Sequence, residues 1–298
     1  MNITLTGASG FIGKRLIERL LAVGHRLHVL GRHRPAAAPP LVGFTAWDAN
    51  SGEIPDEALR QVDAIIHLAG EPVAQRWNRE IKSRIRNSRV IGTHSLVQAL
   101  AARSERPHTF ISASAIGYYG NRGDEVLTEQ SSPGAGFLSE VCGEWEREAR
   151  LAAELGMRVA LVRIGIVLGK EGGALKQMLP PFRLGMGGPM ASGTQWMSWI
   201  HADDLVEALM FALRNEAISG PVNATAPNPV QNAEFARALG EALNRPAVLH
   251  TPAFALKAML GEAAEVVLAS QRVMPEVLRQ AGFQWAHPQI REALARAI

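Results

Sequence analysis

A glycine-rich turn between a short apolar strand and an amphipathic helix constrains this chain more than any other feature. Residues 3–5 form the apolar run, and residues 11–23 carry apolar side chains at helical spacing. The helical pattern ends at Gly24, a residue type that commonly follows the last turn of a helix. Between the two segments the sequence reads TGASGFIG, with glycines at positions 7, 10 and 13. Strand, glycine turn and helix in this order are the context of the dinucleotide-binding fingerprint.

Each glycine of the turn has a physical role toward a dinucleotide. Gly7 permits a tight turn, Gly10 lets the backbone approach a pyrophosphate, and Gly13 lets the helix pack closely on the sheet. The N-terminus of the helix supplies N–H groups and a partial positive charge for phosphates. We therefore predict cofactor contacts along the turn and the first helical residues: Gly7, Ser9, Gly10, Phe11, Ile12 and Gly13.

The residues after the second apolar run, 27–30, predict which dinucleotide binds. NAD sites usually carry Asp or Glu near this point for the ribose 2′-hydroxyl, whereas arginine accommodates a 2′-phosphate. Here the chain has Gly31, Arg32 and Arg34. The pattern favours NADP(H), with Arg32 as the main phosphate ligand because it is nearer the strand end. The alternative is that both arginines are solvated surface charges.

Two later segments extend the predicted cofactor site. Leu68, Ala69 and Gly70 follow a predicted strand, and residues of this kind expose backbone against which a dinucleotide can lie flat. Asp48, after the third predicted strand, either accepts the adenine amino group or caps the following turn. His67 has apolar neighbours, so we expect a hydrogen-bonded core histidine rather than a catalyst.

Alternating strand-like and helix-like segments predict an α/β fold with a doubly wound parallel sheet of the Rossmann type. After about residue 168 Gly and Pro become dense, which indicates a smaller C-terminal α+β substrate lobe. We assign residues 1–168 to an NADP(H)-binding domain, with segment 203–214 packing on it, and residues 169–298 to the lobe, with a C-terminal module at about 249–296. Further strands are expected at 42–46, 63–68, 109–112 and 159–164, helices at 78–102, 138–155, 232–243, 252–261 and 275–281, and a surface loop at 34–40.

Composition excludes several classes of protein. The chain has 298 residues, 47% of them hydrophobic, which is enough to bury a full core. Its single cysteine, Cys142, rules out an intramolecular disulfide and cysteine-rich zinc sites, and we expect no metal. The net charge is only +3, no basic cluster interleaves with aromatic residues, and no apolar run is long enough to span a bilayer. We therefore expect a reducing cytoplasm, with neither nucleic acid nor membrane as a partner.

A family resemblance rests on segments distributed along the chain. The glycine turn, HLAG at 67–70 and SAS at 112–114 resemble the extended short-chain dehydrogenase/reductase superfamily. The chain also resembles the atypical YfcH-like branch of that superfamily, usually labelled "epimerase family protein". This resemblance rests on six further segments: WN 77–78, NSR 87–89, LPPFRLG 179–185, WIHADD 199–204, NAEF 232–235 and SQRVMP 270–275. The resemblance implies a nicotinamide cofactor and epimerase-type redox chemistry on a small molecule, with nucleotide sugars suggested by analogy alone. It also implies that WIHADD is a structural turn before a helix.

The usual catalytic motif of that superfamily, Tyr-x-x-x-Lys, is absent. Tyr118 and Tyr119 are the only tyrosines, and neither has lysine four residues later. Matching Glu146 to the family's helix glutamate places Leu138 at the tyrosine position and Cys142 at the lysine position. The remaining candidates for moving a proton are Tyr118, Tyr119, Cys142, Glu146 or a substrate-held water.

Two further comparisons with the superfamily pattern concern single positions. Ser114 keeps the type of the catalytic serine. Arg89 stands where the supporting asparagine is expected, and we predict that it contacts the cofactor's ribose or phosphate, with Arg84 on the same helix as a second candidate.

Several functional alternatives stay open at this point. The chain is either an NADP(H)-dependent oxidoreductase with a substituted acid/base or an NADPH-binding sensor without catalysis. A nucleic-acid binder on this fold is disfavoured. Lys170, Lys176 and Arg183 in the Gly-rich lobe suit an anionic substrate or, equally, a mobile lid. An oligomer is compatible with the sequence.

Overall fold

The structure is a computed structural model that describes residues 1–34, 42–50 and 53–298. Its main sheet is built from seven strands: β1 (Asn2–Thr6), β2 (Arg26–Gly31), β3 (Gly43–Ala46), β4 (Ala64–His67), β5 (Thr109–Ala115), β7 (Arg158–Ile164) and β12 (Gly220–Ala224). Shorter strands lie in small separate sheets: β6 (Val126–Leu127), β8 (Ile166–Gly169), β9 (Gly172–Gly173), β10 (Trp196–Met197), β11 (Trp199–His201), β13 (Val230–Gln231) and β14 (Arg272–Val273).

Ten α-helices occur in the described ranges: α1 (Phe11–Ala22), α2 (Arg79–Ala101), α3 (Phe137–Glu154), α4 (Leu175–Arg183), α5 (Ala202–Arg214), α6 (Asn232–Ala242), α7 (Ala253–Leu260), α8 (Glu265–Leu268), α9 (Glu276–Gln280) and α10 (Ile290–Ala297). Three short 3-10 helices lie at Asp56–Leu59, Ile116–Tyr119 and Gly261–Ala264. None of the helices within these ranges is long and apolar enough to cross a membrane.

The main sheet is parallel throughout, in the order β12-β7-β5-β4-β1-β2-β3. Apolar side chains of α1 and α5 pack on one face of the sheet, and those of α2 and α3 pack on the other. Because helices cover both faces, all of β4 and nearly all of β5 are buried, which is why these strands read as continuous apolar or small residues. The predicted α/β class and doubly wound parallel sheet are confirmed.

The sheet extends beyond the boundary drawn from the sequence at residue 168. Strand β12 pairs in parallel with β7 at the sheet edge, although its residues were assigned to the substrate lobe. Only three of its five residues are buried and it contains glycine and proline, so its sequence gives a weak strand signal. Of the predicted surface loop at 34–40, only Arg34 lies within the described residues.

The Gly- and Pro-rich part of the lobe contains a helix that the sequence pattern did not predict. Helix α4 includes Pro180 and Pro181, which lack the N–H needed to bond the preceding turn. Leu175, Leu179 and Phe182 recur at helical spacing and are all buried, so packing of this apolar face compensates for the lost hydrogen bonds.

The C-terminal module, residues 249–296, is fastened to Ser198, between β10 and β11, and to the loop that follows β5. Ser198 Oγ accepts from the Val273 N–H at 2.8 Å and donates to the Gln271 carbonyl at 2.7 Å. The Gln271 side-chain amide donates to the carbonyls of Ile116 and Gly120 at 2.9 and 3.0 Å. The module therefore borders the carboxyl end of the sheet, where ligands bind in folds of this type.

Candidate nucleotide and substrate site

The glycine turn leaves the N-terminus of α1 open. Gly7 has φ +71°, and a Cβ there would lie 2.5 Å from the Leu68 carbonyl carbon. A Cβ at Gly13 would lie 2.3 Å from the Gly7 carbonyl oxygen, so this glycine allows α1 to approach the turn itself rather than the sheet. Gly10 is the N-cap of α1, and no side chain caps the helix. The free N–H groups of the first turn are thus available to a phosphate.

The other predicted turn residues surround this opening. Ser9 is exposed, whereas Phe11 and Ile12 are half-buried. The Phe11 ring lies against Gly169 and Gly172, where an added Cβ would come within 2.4 Å of ring atoms. Phe11 therefore packs the start of α1 against the turn between β8 and β9.

His67 is a buried, fully hydrogen-bonded core histidine, as expected. Thr93 Oγ1 donates to the Arg89 carbonyl at 2.5 Å, so it accepts from His67 Nε2 at 3.0 Å. On the other side, Thr6 Oγ1 accepts from the N–H groups of Leu68 and Ala69, each at 3.1 Å, and donates to His67 Nδ1 at 2.8 Å.

These donor directions have two consequences for the end of β4. They fix His67 as the neutral tautomer with its proton on Nε2, and burial lowers its pKa to about 4. They also hold the backbone of Leu68 and Ala69, two predicted cofactor contacts, at the level of the glycine turn.

Arg32 and Asp48 lie at neighbouring strand ends. Arg32 is exposed directly after β2, and its charge contributes to lowering the pKa of Asp48, after the main cause, the Asn50 N–H that donates to that carboxylate. This 3.0 Å bond from Asn50 shows that Asp48 caps the turn after β3. Arg34 donates to the Val42 carbonyl at 2.8 Å, so part of its guanidinium is engaged at the start of β3.

Arg89 lies against the loop that follows β4. Its Nη1 donates to the carbonyls of Glu71 and Ile85 at 2.9 and 3.0 Å, and its guanidinium lies 5.3 Å from the Trp145 ring centroid. A Cβ at Gly70 would lie 3.0 Å from its guanidinium carbon, so the glycine makes room for this arginine. Arg89 thus holds the Gly70 segment in place.

Arg84 has a more exposed setting than Arg89. Its guanidinium pairs with Glu71 at 3.4 Å and, at 3.9 Å, with Glu80. Through Glu71 it is joined to the same loop after β4, at the protein surface.

Ser114 belongs to a buried polar network. Its hydroxyl donates to Glu146 Oε1 at 2.8 Å. The Glu146 carboxylate also accepts from Arg163 Nε and Nη2, at 2.7 and 2.8 Å, and from Arg150 at 2.8 Å. The candidate serine and the candidate glutamate therefore bond each other within the protein interior.

The two tyrosines have opposite settings. The Tyr119 hydroxyl donates to the Asn223 side-chain oxygen at 2.6 Å and accepts from Arg163 Nη1 at 2.9 Å, and burial raises the pKa of Tyr119 to about 12. Tyr118 is half-buried, with the Arg163 guanidinium 3.6 Å from its ring centroid. No described residue forms a hydrogen bond with the Tyr118 hydroxyl.

Cys142 and Leu138 occupy the positions of the superfamily's lysine and tyrosine. Both face Gly117 in the turn after β5, with the Cys142 sulfur 3.8 Å and Leu138 Cβ 3.3 Å from where its Cβ would be. Burial raises the pKa of the Cys142 thiol to about 11, which opposes a role as a thiolate nucleophile at neutral pH. Leu138 packs beside an apolar cluster that includes Ala263 and Leu260 of the C-terminal module.

Arg163 and Asn223 also belong to the environment of the site, and neither was predicted from the sequence. Arg163 is 1% exposed on β7, where it contacts both tyrosines and Glu146. An arginine inside an apolar strand is the signal that could have found it, since such a charge needs a buried partner. Asn223 lies on β12, the strand whose sequence signal is weak.

The predicted anion-binding residues of the lobe are all exposed. Lys170 precedes β9, whereas Lys176 and Arg183 lie on α4. None of the three forms an ion pair with a described residue, so each leaves its charge available to solvent or to a ligand.

The parallel sheet, the open glycine turn and the bordering module define an extended short-chain dehydrogenase/reductase fold. A model of the NAD dependent epimerase/dehydratase family matches residues 3–224, and a model of DUF1731, a domain of unknown function, matches residues 251–297. The chain therefore belongs to the NAD-dependent epimerase/dehydratase family, in a form that carries the DUF1731 module.

Similar proteins match essentially the whole chain. The chloroplastic homologue of epimerase family protein SDR39U1 from Arabidopsis thaliana is 44% identical over 305 residues, covering 100% of this chain and 86% of that protein. Epimerase family protein Mb2239 from Mycobacterium bovis is 44% identical over 297 residues, covering 99% of this chain and 97% of that protein. The predicted branch of the superfamily is confirmed, whereas the chloroplastic relative leaves the cytoplasm a prediction.

A solved structure of a relative has the same fold over its whole length. Human epimerase family protein SDR39U1, crystallised with NADPH, superposes with a TM-score of 0.89 at 33% identity and covers 100% of this chain and 99% of that one. Together with the family match, this similarity supports nicotinamide dinucleotide binding by this chain.

Proposed function

We propose that this chain is an NADP(H)-dependent oxidoreductase of the epimerase type that acts on a small molecule. The observation that carries the proposal is the exposed Arg32 at the end of β2, next to the open glycine turn. In Rossmann folds the adenosine ribose lies at this strand end, and an arginine there neutralises a 2′-phosphate. The human relative that was crystallised with NADPH supports the same preference.

A binding titration with NADPH and NADH tests the cofactor. We expect NADPH to bind at least tenfold more tightly, a difference of about 1.4 kcal/mol. Arg32→Ala should remove most of this preference, because its guanidinium provides the charge. Arg34→Ala is the matched control, since that arginine is two residues away and engages the Val42 carbonyl. Equal affinity for both cofactors, or no binding of either, contradicts the proposal.

Tyr118 is the proton donor that we propose for the reaction. Of the other candidate side chains, Ser114 donates to Glu146 and Tyr119 donates to Asn223. The Glu146 carboxylate accepts from Arg163, and the Cys142 thiol is buried and protonated. The Tyr118 hydroxyl keeps its proton available beyond the end of β5, the sheet edge where ligands bind. The nicotinamide, when bound, supplies the hydride, and Tyr118 would hold or move the proton at the substrate oxygen.

Because the substrate class is open, the activity assay uses a panel of carbonyl compounds. The three exposed cations of the lobe favour anionic compounds. Nucleotide sugars join the panel because a Corynebacterium glutamicum structure, 36% identical and covered over 58% of its length, is named a nucleoside-diphosphate sugar epimerase. NADPH oxidation is followed by absorbance for the carbonyl compounds, and epimerised product is followed by chromatography for the nucleotide sugars, because epimerisation leaves the cofactor unchanged overall. For any compound turned over, Tyr118→Phe should lower kcat by about a hundredfold or more without changing NADPH affinity; an unchanged kcat would exclude Tyr118 as the donor.

A non-catalytic NADPH sensor is the second candidate function. The observation that favours it is Leu138 at the superfamily's tyrosine position, packed beside residues of the C-terminal module. A sensor should bind NADPH tightly, oxidise it with no compound of the panel, and protect the C-terminal module against proteolysis when NADPH is present. Turnover that depends on Tyr118 would exclude this function.

A further inference from the structure

Three metal-ligating side chains meet at the N-terminus of α5, outside the nucleotide and substrate site. His201 and Asp203 belong to the turn into the helix, and His287 comes from the C-terminal module, 86 residues further along the chain than His201. One potential ligand atom from each lies within 4.8 Å of the others, and the two imidazole rings have centroids 4.1 Å apart. No metal was expected from the sequence because the chain has a single cysteine, and such a long separation between the two histidines gives no spacing motif.

The ligand atoms are partly free and partly directed by neighbouring contacts. His201 Nδ1 accepts a long bond from the Asp203 N–H at 3.2 Å, so the proton of the neutral ring lies on Nε2 and a metal would bind at Nδ1 in place of this bond. Asp203 Oδ1 accepts from Arg15 at 2.7 Å, which leaves Oδ2 at 3.7 Å from His201 Nδ1. The carboxylate is therefore oriented with one oxygen toward the histidine.

The third side chain is positioned by a buried carboxylate. Asp204 is 2% exposed, and its two oxygens accept from the N–H groups of Ala286 and His287 at 2.8 and 3.0 Å. These bonds fix the backbone of the C-terminal module beside the turn into α5. His287 reaches the cluster from a preorganised backbone rather than from a free loop.

The charges of the cluster suit a divalent cation, because two imidazole rings lie beside the Asp203 carboxylate. Arg15 pairs with Asp203 Oδ1, the oxygen that faces away from His201. The negative charge of the neighbouring Asp204 carboxylate offsets the positive charge of Arg15. Two imidazoles and one carboxylate form a donor set that Zn²⁺ accepts, with a fourth position left for water.

We propose that His201, Asp203 and His287 bind a zinc ion that joins the nucleotide-binding domain to the C-terminal module. Zinc bonds of about 2.0–2.2 Å place ligand atoms roughly 3.3–3.6 Å apart in a tetrahedral site, so the cluster must contract by about 1 Å. The exposed Asp203 and half-buried His287 side chains can supply this movement, while the buried His201 stays fixed. This inference is independent of the proposed oxidoreductase function.

Calorimetric titration of the chelator-treated full-length protein with Zn²⁺ tests the site. We expect one zinc per chain with micromolar or tighter affinity and a higher melting temperature in the presence of Zn²⁺. His287→Gln should weaken binding at least tenfold and abolish the zinc-dependent rise in melting temperature, while its backbone bond to Asp204 preserves the fold. Asp203→Asn should also weaken binding.

A matched variant distinguishes this site from general histidine binding, since the chain contains nine histidines. His94→Gln removes a half-exposed histidine that pairs with Glu148, far from the cluster in sequence, and should bind zinc like the wild type. Substituting Co²⁺ for Zn²⁺ should give visible absorption typical of a tetrahedral site in the wild type and in His94→Gln only. Absence of stoichiometric binding to the wild type, or unchanged affinity in His287→Gln, would overturn the proposal.

Discussion

The Ser114 hydroxyl donates to the Glu146 carboxylate at 2.8 Å, and that bond defines what the serine can do. Arg163 donates twice to the same carboxylate, and Arg163 and Glu146 are each only 1% exposed. The network ties β5, β7 and α3 together beneath the turn that carries the tyrosines. The serine that the family resemblance assigns to catalysis thus donates its proton to a carboxylate in the protein interior.

The buried pair between Arg163 and Glu146 predicts a large loss of stability when one partner is removed. Arg163→Met leaves the Glu146 carboxylate buried without its main partner, and we expect the free energy of unfolding to fall by about 3–5 kcal/mol. Urea unfolding followed by far-UV circular dichroism measures the change. Arg150→Ala is the matched control, because Arg150 bonds the same carboxylate from a position 47% exposed and should cost less than about 1 kcal/mol. Similar losses in the two variants would contradict this reading.

Substituting alanine for glycine should have opposite effects on stability at two helical positions. In Gly13→Ala the new methyl group would lie 2.3 Å from the Gly7 carbonyl oxygen, so α1 must move away from the turn. We expect a loss of more than about 1 kcal/mol in stability and weaker NADPH binding. In Gly143→Ala on α3 the methyl group meets no atom within 4 Å, so helix propensity should raise stability by about 0.5–1 kcal/mol. The melting temperature and the NADPH affinity of each variant test these two expectations.

Local patterns sufficed to predict the nucleotide half of the molecule. Strand, glycine turn and helix are contiguous in the chain, so β1, α1 and the opening between them follow from a short segment. His67 was expected in the core because its neighbours are apolar, and its partners Thr6 and Thr93 satisfy both ring nitrogens. The arginines after β2 lie at the strand end that their sequence position implies.

Features that depend on contacts between residues far apart in the sequence were not predicted. Asn223 and Tyr119 are 104 residues apart and meet only because β12 joins the sheet beside β7. Helix α4 forms despite two prolines because a buried apolar face stabilises it, a tertiary effect that overrides local propensity. The reason given for Gly13 was also wrong in detail, since its close neighbour is the turn and not the sheet.

The buried Tyr119 phenol should lose its proton at an unusually high pH. The chain has two tyrosines, and burial raises the pKa of Tyr119 from its ordinary 10.0 to about 12. Stability from the neutral phenol is therefore full below pH 10 and is lost as the pH rises through 12. Phenolate absorbance should show the Tyr119 step only near this upper limit, and Tyr119→Phe should remove that step.

The same substitution tests the hydrogen bonds of the phenol. Tyr119→Phe leaves the buried Asn223 side chain without its donor, and we expect a loss of about 1–3 kcal/mol at neutral pH. Tyr118→Phe is the control, because no described residue bonds that hydroxyl, and it should leave stability nearly unchanged. A Tyr119 step at the ordinary pH, or equal stability of the two variants, would show that the Tyr119 hydroxyl is not buried in this network.

The buried His67 should make the free energy of unfolding depend on pH in the acid range. Burial lowers its pKa from 6.5 in the unfolded chain to about 4 in the folded protein, so the unfolded state binds the extra proton first. Its contribution is complete above pH 6.5 and is lost as the pH falls toward 4, by an amount on the order of 3 kcal/mol. His67→Gln cannot be protonated and should lack this part of the pH dependence, although it is less stable at neutral pH. Urea unfolding at neutral pH and at several acid values should therefore show the wild type and His67→Gln converging as the pH falls. A constant difference between them would mean that His67 titrates normally and that the chain of bonds from Thr6 to Thr93 does not hold it neutral.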